Sequence, residues 1–496
     1  MPSTCYISID LGASSGRLLA AQFDGKHLTL EELYRFENAP VVRGRQMHWD
    51  LAGLWRHIQT GLRTAREKYG DNIHSIAVDT WGVDFGLLGP GDELLSDPVC
   101  YRDSRTDGMM ERAFAIVPRE QIFAQTGLQF MQINTLYQLL AMKLQNSPLL
   151  ETAQSLLMMP DLFHWLLTGV KANEMTDATT TQFFNLRSGR WATELLNRFG
   201  LPTHILGTVI QPGTKLGPLL PQVAAAMGLE NVQVIAPGTH DTASAVVAVP
   251  AFSRPNERPD WCCISSGTWS VMGVELPKPV INEKCLSLNF TNEGGVGGTT
   301  LLLKNIVGLW LVQECRRIWS AGGSKYSWDQ LMHAAAATKL LVSFIDPDDP
   351  AFLAPVDMPA AIQSFCQRTK QCVPVEQGSI VRCALESLAM RYRRTLESLE
   401  GLMGGQIQTI HIVGGGAQNR QLCQMTADAC QRRVVAGPVE ATAIGNALIQ
   451  AVAAGEIGSI AQAREVVRRS FPVEEYRPQS SAAWQDAYER FLKIAP

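Results

Sequence analysis

Apolar residues recur along this chain in two periods. Leu51, Leu54, Trp55, Ile58, Leu62 and Ala65 lie three or four apart, which lays one apolar stripe along a helix, and Gly70 supplies a residue to end it. A strand is expected next at Ile76-Ala77-Val78. The same spacing predicts helices over 302–319, 380–400, 442–454 and 482–494, with a helix of small residues over 242–249. Strands are predicted over 5–10, 16–23, 28–36, 232–236, 261–265 and 409–413. Short β-rich runs alternating with amphipathic stretches argue an α/β architecture and against an all-helical or all-β one.

The clearest break in the pattern is Pro250 to Pro259, with three prolines in ten residues, and a domain boundary is placed there. Beyond this break the chain repeats its own start. Ile9-Asp10-Leu11-Gly12-Ala13-Ser14-Ser15 lines up with Ile264-Ser265-Ser266-Gly267-Thr268-Trp269-Ser270, each a strand entering a Gly/Ser turn and leaving as another strand. Two such hairpins at the heads of two similar halves predict duplicated domains, 1–249 and 250–496, around a central cleft. The spacing is far beyond the ~20 to 50 residue periods of solenoids.

Composition narrows the function classes. The 496 residues are 46% hydrophobic and 18% charged, which excludes disorder at the scale of the whole chain. A net charge of -4 gives no strong field for nucleic acid or an anionic membrane surface, so neither is expected as a partner. No apolar run reaches the ~20 residues of a membrane helix. Met1 to Cys5 passes into Tyr6-Ile7-Ser8-Ile9 without a basic region, so no signal peptide is expected. The eleven cysteines show neither C-x-x-C nor zinc spacing, which fits reduced thiols in the cytoplasm; Cys366 and Cys372 are the pair a bridge would join.

Six segments carry candidate chemistry. Asp10-Leu11-Gly12-Ala13-Ser14-Ser15-Gly16-Arg17 sits between two β runs. Its turn can offer N–H groups and hydroxyls to phosphate oxygens, and Asp10 can hold Mg²⁺ through water. A dinucleotide-binding reading fails, because that fingerprint opens a helix; taken alone the motif also reads as an ordinary glycine hairpin. Ile410 to Asn419 runs an apolar strand into Gly414-Gly415-Gly416 and then a helix, which lets a nucleotide approach the backbone where a turn needs only one glycine. Val232 to Thr242 is a buried strand that delivers Asp241 to the start of a helix, where it can be an N-cap, a proton acceptor, or both. Asp79 to Phe85 and Cys100 to Thr106 mix carboxylates, Arg and aromatic faces, a combination suited to hydroxyl-rich ligands or to solvated loops. On the helix expected over 302–319, Trp310 belongs to the core, and Asn305 and Gln313, two turns apart, can face a cleft.

In this order and over nearly the whole chain, the motifs D-L-G-A-S-S-G-R, T-W-G-V-D-F, Y-R-D-S-R-T, H-D-T-A-S-A, I-S-S-G-T-W-S, L-K-N-I-V-G-L-W-L and H-I-V-G-G-G-A-Q-N resemble the FGGY carbohydrate kinases of the actin-like ATPase superfamily. The likeness is strongest to the branch acting on L-rhamnulose. Glycerol and xylulose kinases typically carry a G-T-T/S pattern where this chain has Gly12-Ala13-Ser14-Ser15-Gly16. The resemblance implies an actin-like, ribonuclease H-like fold of two duplicated α/β domains, the first binding sugar and phosphate and the second nucleotide. It implies that Ala13, Ser14, Ser15, Gly16, Arg17, Thr268, Gln313 and Gly415 line an ATP site, and that Gly82, His240, Asp241, Thr242 and Asn305 surround a ketose. Asp241 would accept the proton of the 1-hydroxyl, and Asp10 would organise Mg²⁺. Two rival readings remain: a kinase for L-fuculose or xylulose, and a non-metabolic actin-like ATPase. Residues 320–378 match no motif, and the sequence does not fix the oligomeric state, monomer or homodimer.

Overall fold

The computed structural model describes residues 3–252, 258–479 and 482–495. The expected boundary segment includes 253–257, which lie outside the described residues. The chain packs as two compact units. Unit 1 gathers Met1–Phe252, Glu275–Leu302 and Ala441–Phe471; unit 2 gathers Ser253–Val274, Leu303–Glu440 and Pro472–Pro496. Each unit is thus assembled from segments distant in sequence.

In unit 1, β1 (Thr4–Leu11), β2 (Ser15–Phe23) and β3 (Leu28–Glu37) form an antiparallel meander. β1 is buried from Cys5 to Leu11, as a strand covered on both faces must be. Its other edge pairs in parallel with β4 (Ile73–Thr80), which sets Asp10 opposite Asp79. The sheet continues through β6 (Gln233–Ile235) to β5 (Lys215–Pro218). Helix α1 (Leu51–Tyr69) starts at Asp50, which accepts from the Gly53 N–H at 3.1 Å, and stops at Gly70, whose φ of 57° favours glycine. A Cβ on Gly61 would stand 2.6 Å from a Leu18 methyl, so α1 lies close against β2. The helix Ala441–Ala454 packs against α2 (Asp241–Val247) so closely that a Cβ on Gly445 would collide with the Ser244 carbonyl. The small residues of both helices exist for this approach.

Unit 2 repeats the plan. β7 (Trp261–Ser266) and β8 (Trp269–Leu276) form an antiparallel hairpin, β7 pairs in parallel with β10 (Thr409–Val413), and β10 with β11 (Arg433–Ala436). β9 (Thr300–Val307) lies beside β8, and β12 (Glu474–Tyr476) closes the edge. In both units a central strand has an antiparallel hairpin partner on one side and a parallel strand on the other, which is the duplication expected from the two aligned hairpins.

The expected helix over 302–319 is corrected. Residues through Val307 form β9, and helix α3 is Trp310–Ala321. Thr300, Leu301, Leu302 and Leu303 are all buried, a continuous apolar run that suits a strand covered on both faces as well as a helix. Gly308 decides: a Cβ there would stand 2.6 Å from the Trp269 carbonyl carbon, and the break falls at that residue. Asn305 and Gln313 are therefore not two turns apart on one helix. Trp310 is half-buried at the start of α3, its indole donating to the Phe352 carbonyl at 3.1 Å. α4 (Gln377–Met403) is the long helix of unit 2. Within 320–378, the helix Trp328–Ala336 is tied to α4 by Arg382, which pairs with Glu386 at 2.7 Å and donates to the Ala335 carbonyl at 2.8 Å. This stretch buttresses α4.

All eleven cysteines are free. Cys366 is buried and its thiol shares a hydrogen bond with Cys383, while Cys372 is exposed, so the bridge considered between Cys366 and Cys372 is not formed. Among the described residues no helix is long and apolar enough to cross a membrane.

Candidate active site

The β1–β2 turn is built to stay rigid. Gly12 N–H donates to the Ser15 carbonyl at 2.9 Å, and Asn38 braces the turn from outside, its amide donating to the Gly12 carbonyl at 2.8 Å and its N–H to the Ser14 carbonyl at 3.1 Å. Ala13 and Ser15 are half-buried and Ser14 is exposed. Gly16 serves the core, since a Cβ there would collide with the Phe36 ring. Arg17 grips Asp10 Oδ2 with Nε and Nη2 at 2.9 and 2.7 Å. Beside Asp10, Asp79 is fully buried, its Oδ2 accepting from Asn446 at 2.6 Å. Burial first, and then the charge of Asp10, push the Asp79 carboxyl well above the usual range.

The T-W-G-V-D-F segment forms a turn held by a buried acid. Asp84 accepts from Trp49 Nε1 at 2.7 Å, Trp81 Nε1 at 3.0 Å, Gln138 Nε2 at 3.1 Å and the Tyr101 N–H at 3.2 Å. Burial still raises its carboxyl to about 6, against these donors. Val83 sits at a φ of 70°, a costly conformation for a β-branched residue. It is held by Thr180, which accepts its N–H at 2.9 Å, and by Thr135, which donates to its carbonyl at 2.7 Å. A Cβ on Gly82 would stand 2.8 Å from Thr180. In Y-R-D-S-R-T, Asp103 accepts from the Arg105 and Met47 N–H groups, so it braces a loop.

At the head of α2, Asp241 is the first helical residue and His240 holds the cap position without capping through its side chain. Asp241 is therefore not the N-cap; its carboxylate bonds instead within the first turn, Oδ1 accepting from the Thr242 hydroxyl at 3.1 Å, and it also accepts from the Thr242 N–H. The His240 ring lies between two acids: Nε2 is 3.5 Å from Asp241 Oδ1, and Nδ1 is 3.1 Å from Glu293 Oε2. Side-chain exposure grades along this line, 35% at Asp241, 12% at His240 and 5% at Glu293, so Asp241 is the most open of the three. Burial opposes charge on His240, but Glu293, Asp241 and Asp177 overcome it and raise the imidazole to about 9. For Asp241 burial raises the carboxyl and charged His240 opposes the rise. Thr239 and Thr176 fasten the chain behind the pair through Glu174, which accepts from the Thr239 N–H at 2.9 Å and the Thr176 N–H at 3.0 Å.

Unit 2 brings Thr268 and Gln313 together, the hydroxyl donating to Gln313 Oε1 at 3.2 Å. The N–H groups of Gly308, Leu309 and Trp310 donate to the carbonyls of Gly267 and Thr268, fastening the start of α3 to the β7–β8 turn. The three glycines differ in purpose. Gly414 has a φ of 82°, and a Cβ on Gly416 would collide with the Ser266 side chain, whereas a Cβ on Gly415 would meet nothing within 4 Å. They lead into a 3₁₀ turn, Gly415–Gln418, and only then does Asn419 cap α5 (Arg420–Cys430). The glycines are thus one turn ahead of the helix they were expected to open. Asn305 is half-buried on β9.

Among the described residues no three His, Cys, Asp or Glu side chains converge as a metal cage. Asp79 Oδ1 beside Asp10 is buried without a hydrogen-bond partner among the described residues, an orphaned polar oxygen of the kind a cation's bound water satisfies. An ion that keeps most of its waters and takes phosphate oxygens fits here, with Asp10 the side chain to hold it.

Asn38, Asn446 and Glu293 were missed in the sequence. Glu293 had a signal, an acid inside Thr291-Asn292-Glu293-Gly294, which is buried throughout.

A mixed sheet repeated in two units, a Gly/Ser hairpin turn in each, and an open carboxylate beside a cationic imidazole fit a phosphotransferase acting on hydroxyl groups. Residues 5–248 match the N-terminal domain, and residues 262–454 the C-terminal domain, of the FGGY family of carbohydrate kinases. The chain belongs to this family. It is 44% identical over 486 residues to a rhamnulokinase of Bacteroides thetaiotaomicron, covering 98% of each chain. It is 42% identical over 470 residues to a rhamnulokinase of Halalkalibacterium halodurans, covering 95% of this chain and 98% of that one. Its fold resembles that of a ligand-bound xylulose kinase from Lactobacillus acidophilus, with a TM-score of 0.81 at 16% identity over 99% of this chain and 97% of the other. Plasmodium falciparum glycerol kinase with ADP gives 0.76 at 14% identity over 99% and 98%. At such identities the likeness is one of fold: the two-domain, actin-like fold of the FGGY kinases.

Proposed function

We propose that this chain transfers the γ-phosphoryl group of ATP to the 1-hydroxyl of L-rhamnulose, giving L-rhamnulose 1-phosphate and ADP. The observation that carries the reading is Asp241, an open carboxylate whose neighbour His240 is held cationic. Near full-length similarity to rhamnulokinases supports the choice of sugar. Asp241 takes the proton of the 1-hydroxyl as the 1-oxygen bonds to the γ-phosphorus. The bond from that phosphorus to the β–γ bridging oxygen breaks, and ADP leaves with the electron pair. The transition state is loose, so orientation of the hydroxyl matters more than base strength. Gly82, His240, Thr242 and Asn305 bind the ketose; Ala13 to Arg17, Thr268, Gln313 and Gly415 bind ATP. Sugar and phosphate recognition is assigned to 1–249 and nucleotide recognition to 250–496. Mg²⁺, held through Asp10, would offset charge on the phosphates. Free thiols throughout fit a cytoplasmic enzyme.

A coupled assay of ADP formation over a panel of ketoses tests the reading. L-rhamnulose should win by kcat/KM, because a polar site rejects analogues that leave its buried donors unpaired, by up to ~10⁴-fold. Faster turnover of L-fuculose or xylulose would reassign the sugar, and ATP hydrolysis that no sugar stimulates would overturn the kinase.

A further inference from the structure

We infer that Glu293 is a positioning residue for phosphoryl transfer: it anchors the His240 ring by Nδ1 so that Nε2 faces the Asp241 carboxylate. The inference rests on Asp241 being the proton acceptor. Glu293 lies on the strand Thr291–Gly294, far in sequence from the His240-Asp241 pair, and its carboxylate is 5% exposed, set behind the imidazole at the buried end of the line. Glu293 Oε1 accepts from the Thr291 hydroxyl at 3.2 Å, which fixes the head group and leaves Oε2 aimed at the imidazole 3.1 Å away. Neither that oxygen nor His240 Nδ1 has a hydrogen bond elsewhere among the described residues, so each is the other's partner by charge. The backbone of His240 is pinned independently, its N–H donating to the Thr176 hydroxyl at 3.1 Å. Backbone pinning leaves the ring free to rotate, and Glu293 removes that freedom.

The charged groups around this line are few. Asp177 faces His240 from the helix Met175–Ala178, Asp241 faces it from α2 and Glu293 from its strand, while Asp10 and Asp79 act on Asp241 from β1 and β4. Acid, cation and acid alternate from the buried end to the open one. Without the first acid, the imidazole loses the partner that outweighs its burial, and Asp241 loses the cation that opposes the rise of its own carboxyl.

The test compares Glu293→Gln with wild type and with Asp241→Asn, using L-rhamnulose and ATP. Glu293→Gln should lower kcat by roughly 10- to 100-fold, the cost of misplacing a catalytic group by about an ångström. It should move the acid limb of the kcat–pH profile to higher pH and leave ATP affinity unchanged; Glu293→Asp should restore part of the rate. If Asp241→Asn is inactive while Glu293→Gln keeps the wild-type kcat and pH profile, the positioning role is refuted and the base stands. If Asp241→Asn is fully active, the underlying reading falls instead. A second measurement reads the wild-type protein itself: NMR of histidine-labelled wild type, with the signal assigned by its loss in His240→Gln, should show His240 as a cationic imidazolium at about pH 7.5, below its raised value. A neutral ring there would overturn the inference.

Discussion

Replacing Asp241 by Asn separates chemistry from architecture at the proposed base. The side chain keeps its size, and its amide oxygen can still accept from the Thr242 hydroxyl, which contacts Asp241 Oδ1 at 3.1 Å. Because His240 occupies the cap position of α2, no cap is lost. The stability terms are small and opposed. The first turn loses a carboxylate worth about 0.3 to 1 kcal/mol to the helix dipole and an ion pair 3.5 Å long with His240. Against these, a partly buried charge disappears from the neighbourhood of Asp10 and Asp79. The melting temperature should therefore stay within a few degrees, about 1 kcal/mol at most for units of this size. The rate should not survive as well, since loss of a general base costs ~10² to 10⁴ in turnover, or about 3 to 5 kcal/mol of barrier. ADP release in a coupled assay gives kcat, and calorimetric titration gives ATP affinity, which should be near normal because the residues assigned to ATP are untouched. A folded Asp241→Asn protein retaining more than about a tenth of wild-type kcat would remove Asp241 as the base.

Three further outcomes are expected. Gly415→Val should fold normally and bind ATP at least about 10-fold more weakly, because the space at this glycine is not filled by protein, whereas Gly416→Ala should lower the melting temperature by forcing Ser266 aside; equal effects on stability would mean that the loop is only a turn. Gly445→Ala should destabilise unit 1 by about 1 to 3 kcal/mol or more, since its Cβ would strike the Ser244 backbone carbonyl rather than a movable side chain; urea unfolding with an unchanged midpoint would contradict the packing of the two small-residue helices. Asp84, raised by burial to about 6 from 3.8, binds its proton more tightly folded than unfolded, so the stability it contributes is fully present below pH 3.8 and is lost as pH rises through 6. Tryptophan emission should step near pH 6 as the acceptor of Trp49 and Trp81 ionises, and Asp84→Asn should abolish the step; a step that survives belongs to another group.

Local pattern alone settled much of this protein. The apolar stripe of Leu51 to Ala65 with Gly70 beyond it specifies a helix and its end, because those interactions are made within a few residues. The strands at 5–10, 16–23 and 409–413 and the two aligned hairpins are legible for the same reason, and the motifs they carry identify the family. Tertiary structure decided what local signals leave degenerate. Leu301, Leu302 and Leu303 suit a buried strand and a buried helix equally, and only the approach of Gly308 to the Trp269 backbone turns them into a strand. Glycines that look alike in sequence part company once their neighbours are known: Gly16 admits Phe36, Gly416 admits Ser266, and Gly415 admits nothing of the protein. The acids divide in the same way. Asp84 reads as a ligand-facing carboxylate but is spent on two indoles, while Glu293 reads as one acid among many and stands behind His240. A side chain's charge state depends on what surrounds it, and residues 174, 177, 240, 241 and 293 are brought together by long-range packing that no local spacing encodes.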